Sequence, residues 1–237
     1  MKLKTLFKKT KKIFLDLFFP INCLGCGKFD QWICDDCHKT FPILTEQHCP
    51  ICEKEITQNG EVCLNCQKYY KINLKGVFII SIYKDALLKK SIHHFKYKFI
   101  EKISEPLALL IAQALQNSEH PIPDLIIPVP LHKQRLRWRG FNQSESLARD
   151  LDLKIPIVTN SLIRKNNTIP QVKMKNRKQR LENLNDAFCV ENPEIIKNKK
   201  ILLIDDIITT GTTLSVCAKI LKQVGAEEVR ALVIAWE

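Results

Sequence analysis

Apolar residues along this chain change their spacing twice, and each change marks a new kind of structure. At the start, Leu3, Leu6, Phe7, Ile13, Phe14, Leu17 and Phe18 recur at steps near three and four, with Lys8, Lys9, Lys11 and Lys12 on the rest of the wheel. This pattern predicts an amphipathic helix over residues 1–20, ending before Pro20, whose apolar stripe docks on its own domain or a partner. A basic helix of this kind also suits peripheral contact with a membrane. Between Cys23 and Cys66 the aliphatic periodicity vanishes, so apolar burial alone cannot hold residues 21–70. From Gly76 onward, strand and helix patterns alternate. GVFIISIY (76–83) predicts a strand, Leu87, Leu88, Ile92 and Phe95 a helix, and ISEPLALLIAQALQ (103–116) a second helix with Pro106 in its first turn. PDLIIPVP (123–130) predicts a short buried strand, NQSESLARDL (142–151) a helix capped by Asn142 with Glu145 in capping-box position, and IPIV (155–158) a strand. ILLIDD (201–206) is a further strand, TLSVCAKILKQV (213–224) a helix closed by Gly225, and VRALVIAW (229–236) a last strand. The alternation predicts an α/β domain with a largely parallel sheet over residues 76–237, its boundary near residues 67–75.

Composition narrows this picture. A chain of 237 residues, 45% hydrophobic and without an uncharged apolar run near the roughly 18 residues of a membrane span, is expected to be soluble and folded. The net charge of +12 implies an anionic partner: phosphates, nucleic acid or a lipid surface. Eight of the ten cysteines fall between Cys23 and Cys66. The N-terminus interrupts its apolar stretch with Asp16 and has no small-residue cleavage site, which places the protein in a reducing cytoplasm with thiolates available to metal.

Those cysteines form four pairs of identical spacing: Cys23/Cys26, Cys34/Cys37, Cys49/Cys52 and Cys63/Cys66. Two thiolates on one tight knuckle take two corners of a tetrahedron around zinc, and a second pair closes it. Four pairs suffice for two closed structural zinc sites, a small zinc-ribbon domain, with neighbouring pairs closing in order or crossing. Gly25 and Gly27 fit the first knuckle. His38 and His48 are possible substitutes, ranked below the thiols. Cys189 and Cys217 sit in strand and helix patterns and read as buried small hydrophobes.

The stretch ILLIDDIITTGTTL (201–214) carries the most chemistry. Four aliphatics make a buried strand, Asp205 and Asp206 stand at its carboxyl end, and Thr209, Thr210, Gly211, Thr212 and Thr213 lead into a helix. The carboxyl end of a parallel strand is where α/β folds bind ligands, and a helix N-terminus with added hydroxyl donors attracts phosphate. The loop is neither a Walker loop nor a GxGxxG turn. Paired carboxylates beside such a cradle suit the hydroxyls of a phosphorylated sugar.

ILLIDDIITTGTT resembles the 5-phosphoribosyl-1-pyrophosphate (PRPP) motif of type I phosphoribosyltransferases. Together with the cysteine pairs, PVPLHKQRLRWRGFNQSE (128–145) and IPQVKMKNRKQRLENLNDAF (169–188), it makes nearly the whole chain similar to the ComF family. The resemblance implies a cytoplasmic protein of bacterial natural transformation, with a zinc finger ahead of a phosphoribosyltransferase-like domain, assisting incoming single-stranded DNA beside the uptake machinery. It implies that Asp205 and Asp206 face the ribose, Thr209 to Thr213 the 5-phosphate, and the PVPL turn with Pro130 and Leu131 the pyrophosphate. Magnesium would arrive with PRPP. His93, His94 and Lys96 follow the helix pattern around Phe95, where Lys96 can reach pyrophosphate.

Two basic blocks remain. Lys133, Arg135, Arg137 and Arg139 flank Trp138, and a second run extends from Arg164 and Lys165 through Arg177 to Arg180 without an acid. One ligand needs only a few cations, so the excess suits a polyanion tracked along its backbone, with Trp138 or Phe141 as a stacking platform. Two other functions compete with DNA uptake: an active phosphoribosyltransferase with an unidentified acceptor, and a non-catalytic zinc-ribbon scaffold for nucleic acid.

Overall fold

A computed structural model describes residues 20–70, 73–116, 121–165 and 187–237. The helix expected over residues 1–20 lies outside them but for Pro20, as do Arg177 and Arg180. The chain divides into two compact units, Met1–Phe41 and Pro42–Glu237. The division by composition near residues 67–75 and the division by compactness at Phe41/Pro42 do not coincide, because the second half of the cysteine-rich stretch is built into the same unit as the sheet.

In the first unit, the Asn22–Phe29 bridge closes the first knuckle and a single-turn helix, α1 (Asp35–His38), carries the second. The second unit opens with the remaining knuckles and α2 (Leu64–Tyr69). A four-stranded parallel sheet follows, in the order β1 (Val77–Ile82), β6 (Glu228–Trp236), β5 (Lys200–Ile208) and β2 (Leu125–Pro128). The near-continuous apolar runs of these strands reflect burial on both faces, as parallel sheets require. Helices α3 (Ala86–Tyr97), α4 (Ser104–Gln116), α5 (Lys133–Arg139), α6 (Gln143–Leu151) and α7 (Thr212–Gln223) supply the covering layers. Ile201, Leu203, Val229, Ala231 and Val233 of the sheet pack against Val216, Cys217, Ala218 and Leu221 of α7 in one buried cluster.

β1 is an edge strand, and residues 44–47 cover its free side. Gln47 inserts its side-chain amide into the strand, donating to Ile79 O at 2.8 Å and accepting from Ile79 N at 2.9 Å, while Leu44 N donates to Ile80 O at 2.9 Å. This arrangement satisfies backbone groups that an open edge would leave exposed. Gly60 approaches the same strand so closely, at φ +67°, that a Cβ there would lie 1.9 Å from Val77 O.

Three local expectations differ from the structure. The IPIV segment is extended but forms a single bridge, Ile157 to Ile126, rather than a strand; Pro156 has no amide N–H to donate and its carbonyl accepts from Ile126 N. Residues 133–139, read as a basic block without assigned structure, form α5. His93, His94 and Lys96 lie within α3, not after it. Beyond the strand pattern at Cys189, the structure adds a partner for it: β3 (Leu162–Arg164) pairs antiparallel with β4 (Phe188–Val190). Cys217 is fully buried in α7, as expected, whereas Cys189 lies in the short edge pairing of β4 and is only half-buried.

Candidate functional site

The cysteine pairs close in order. Cys23, Cys26, Cys34 and Cys37 gather in the first unit and Cys49, Cys52, Cys63 and Cys66 in the second, with the sulfurs of each group within 4.8 Å of one another. Backbone amides point at these sulfurs: Cys34 N to Cys23 Sγ at 3.3 Å, Cys63 N to Cys49 Sγ at 3.4 Å and Cys66 N to Cys63 Sγ at 3.4 Å. The amides of Glu55 and Lys54 pull the Cys52 thiol down to about 6, whereas burial and the neighbouring sulfurs push Cys66 up to about 12. Four thiols so close oppose one another's ionisation, and a dication at their centre removes that conflict. The donor sets fit two structural zinc sites. His38 is instead buried edge-on against Phe41, with ring centroids 5.5 Å apart.

The second candidate site lies at the carboxyl ends of β5 and β2. Asp205 Oδ1 accepts from Ser144 Oγ of α6 at 3.0 Å and from Asp206 N at 2.9 Å. Asp206 Oδ1 accepts from Ile207 N at 2.7 Å and forms an ion pair with Lys96 Nζ of α3 at 2.9 Å. Two adjacent acids at a buried strand end repel each other. Burial and the Asp206 charge accordingly push the Asp205 carboxyl up to about 7. Burial alone would depress the Lys96 ammonium, but Asp206 more than offsets it and holds the lysine above its ordinary range.

Gly211 follows at φ +68° as N-cap of α7, a left-handed conformation that turns the chain from strand into helix, and Thr210 Oγ1 meets Thr212 Oγ1 at 2.8 Å. Thr209, Thr210, Gly211 and Thr213 are half-buried and Thr212 is buried, where the strand end passes into α7. The PVPL turn lies beside it. Val129 N donates to Ile204 O at 2.9 Å, and Asn142 Nδ2 donates to Val129 O at 3.1 Å, which ties the turn to the start of α6; Pro130 and Leu131 are half-buried next to these bonds.

The basic residues sort by face. Arg135 and Arg139, one helical turn apart on α5, are half-buried. Arg139 donates to the buried Gln143 Oε1, while Arg139 Nε and Gln143 Nε2 are buried donors without an acceptor among the described residues. Arg137 and Trp138 are exposed, and Trp138 stands edge-on to Phe99 at 4.7 Å. Phe141 is core, packed on Phe95 at 5.5 Å, so of the two suggested stacking platforms only Trp138 is open. Arg164 leaves the expected basic surface: it is 8% exposed in β3, with its guanidinium 5.2 Å from the Phe188 ring centroid. Ser144 and Gln143 had not been singled out. Their signal lay in the NQSE cap of α6, where first-turn polar residues face the strand ends.

The raised Asp205 carboxyl has a sign for stability. The unfolded chain loses this proton near pH 4 and the native state holds it to about 7, so this group's contribution is full below pH 4 and is lost as pH rises to 7. The melting temperature of Asp205→Asn should therefore gain on the wild type between pH 4 and 7. A difference that does not change with pH would contradict the assignment.

Comparison with known proteins follows the same division. Residues 14–70 match the family described as double zinc ribbon domain, and residues 138–236 the family described as phosphoribosyl transferase domain. Over 227 residues the chain is 31% identical to Competence protein F of Haemophilus influenzae, covering 90% of this chain and 96% of that one. The chain belongs to the ComF family. Competence protein ComFC of Streptococcus pneumoniae is 30% identical over 210 residues, covering 85% of this chain and 86% of that protein. DNA utilization protein YhgH of Salmonella typhi is 32% identical over 145 residues, 59% of this chain and 63% of that protein. The fold is that of a type I phosphoribosyltransferase domain behind a ComF zinc ribbon. The transferase match contains the acidic pair and the threonine loop, while Lys96 and the PVPL turn precede it. Among the described residues, no helix is long and apolar enough to cross a membrane.

Proposed function

We propose that this ComF-family chain acts in the cytoplasm in DNA uptake, binding PRPP with magnesium at the carboxyl end of β5 and single-stranded DNA on the surface of α5. What carries the reading is the convergence of the Asp205–Asp206 pair, Lys96 and the threonine loop at one strand end. Asp205 and Asp206 accept hydrogen bonds from the two ribose hydroxyls. The amides and hydroxyls of Thr209 to Thr213 hold the 5-phosphate at the start of α7. Lys96 and the backbone at Pro130 and Leu131 face the pyrophosphate, with Arg139 and Gln143 able to offer it their unpaired donors. Asp205 and Asp206 are the residues that would hold magnesium arriving with PRPP, which would supply neutralisation of the pyrophosphate charge.

Exposed Arg137 and Trp138 support the DNA part: an arginine for the backbone beside a ring open to stacking. Arg135, Arg177 and Arg180 extend this basic set in the proposal. The names of the Haemophilus, Streptococcus and Salmonella relatives point the same way.

Titration of PRPP with and without magnesium tests the first part. Asp205→Ala combined with Asp206→Ala should weaken binding about 100-fold, two charge-assisted hydrogen bonds at roughly 1.5 kcal/mol each. A wild type that does not bind PRPP would sink the reading, and release of pyrophosphate with any nucleobase would make the protein a transferase. For single-stranded DNA, Arg137→Ala should lower the salt slope by about 0.7, and Trp138→Ala should weaken binding by about 1–3 kcal/mol at unchanged slope.

A further inference from the structure

We infer that the knuckle formed by Cys49, Pro50, Ile51 and Cys52 positions the threonine loop, so that metal at the second cysteine site sets how tightly that loop holds a phosphate ester. The inference rests on the phosphate-binding role proposed above. Pro50 and Ile51 line a cavity of about 160 Å³ that Ile208, Thr210 and Gly211 also line. The loop is already packed from within, since a Cβ on Gly211 would lie 3.3 Å from Ile208 Cδ1. Knuckle and loop thus border one small void, which Val62, Leu74 and Val77 also line.

The segment that carries the partner cysteines is braced to the sheet. Val62 N donates to Lys75 O at 3.0 Å and Lys75 N to Val229 O at 2.8 Å, while Arg230 of β6 pairs with Glu61 at 2.6 Å. The remaining freedom of Pro50 and Ile51 is set by the two sulfurs that flank them. Among the described residues, the apolar cluster around these sulfurs is Cys49, Val62 and Cys66 with Ile51, Cys52 and Cys63 partly buried against it, too little to define the knuckle without a metal. Knuckle and loop border the same void, so a shift of Pro50 and Ile51 changes the space into which the loop can move, and the loop inherits the order of the knuckle. The first cysteine group lies in the other compact unit and contributes no residue to this cavity. Pro50 and Ile51 are therefore positioning residues, and the two metal sites should be unequal.

Calorimetric titration of the full chain with ribose 5-phosphate and with PRPP, alongside zinc content and hydrogen exchange of residues 208–213, tests this. Ile51→Ala should keep zinc in both cysteine groups, weaken both ligands about 2- to 30-fold and speed exchange in the loop. Ile51→Leu should restore affinity to within about twofold, because it refills the cavity. Cys49→Ser with Cys52→Ser should lose one zinc and at least as much affinity. Cys34→Ser with Cys37→Ser should lose one zinc and leave affinity unchanged. Wild-type affinity in Ile51→Ala, or equal losses in the two cysteine variants, would overturn the inference. Failure of the wild type to bind either ligand is a separate outcome that overturns the phosphate role itself.

Discussion

Replacing Lys96 by alanine should lower the melting temperature by about 6–12 °C, from roughly 3 kcal/mol of lost stability in a chain of this size. Lys96 Nζ lies 2.9 Å from Asp206 Oδ1, with side-chain exposures of 20% and 10%. A pair so far from water is not a surface ion pair of negligible worth. Its attraction offsets the desolvation of both groups, and removing one partner leaves the other charge buried. The penalty is sharpened here because Asp205, next along the strand, already titrates high through burial and the same Asp206 charge. Ile207 N, which also donates to Asp206 Oδ1, compensates only part of the loss. Lys96→Met combined with Asp206→Asn should recover most of the stability, since that pair buries no charge. Thermal unfolding of the single and double variants decides the matter, and a single variant within about 2 °C of wild type would show the pair to be effectively solvated.

Stripping zinc from the protein should open residues 42–70 while the centre of the sheet stays folded. Structural zinc contributes about 10–16 kcal/mol in isolated zinc-finger peptides near neutral pH, far more than the apolar cluster of Cys49, Val62 and Cys66 can replace. The consequence extends beyond the knuckles, because Leu44 and Gln47 seal the free edge of β1. Once residues 42–70 loosen, the backbone groups of Ile79 and Ile80 meet water. Hydrogen exchange after chelation should show protection lost across residues 44–62, reduced in β1, and retained in β5 and α7. A sheet with its edge strand uncovered should also self-associate. Full protection over residues 44–62 in metal-free protein would remove the metal from the account of this segment.

The sheet was legible because burial on both faces forces long apolar runs, and ILLIDD and VRALVIAW lie within β5 and β6, which are longer by three residues and one. The candidate site was legible for a related reason: two acids interrupt the apolar run near its carboxyl end, where an α/β sheet opens to ligands. α5 was not, since its seven residues, KQRLRWR, carry four cations and no apolar period, and its stop at Gly140 (φ +88°) reads equally well as a turn. The β3–β4 hairpin pairs only three residues per strand across a long gap in sequence, too little pattern for periodicity to register.

Residue type and spacing by themselves determined that eight cysteines would suit two metal sites, that the sheet would be parallel, and that Asp205, Asp206 and the threonines would share the carboxyl end of one strand. Spacing along a chain constrains neighbours a few residues apart and says nothing about which distant segments touch. Tertiary structure alone therefore decided that the cysteine pairs close in order, that Lys96 crosses from α3 to Asp206, that Arg164 is core while Trp138 is open, and that half of the cysteine-rich stretch seals the edge of the sheet.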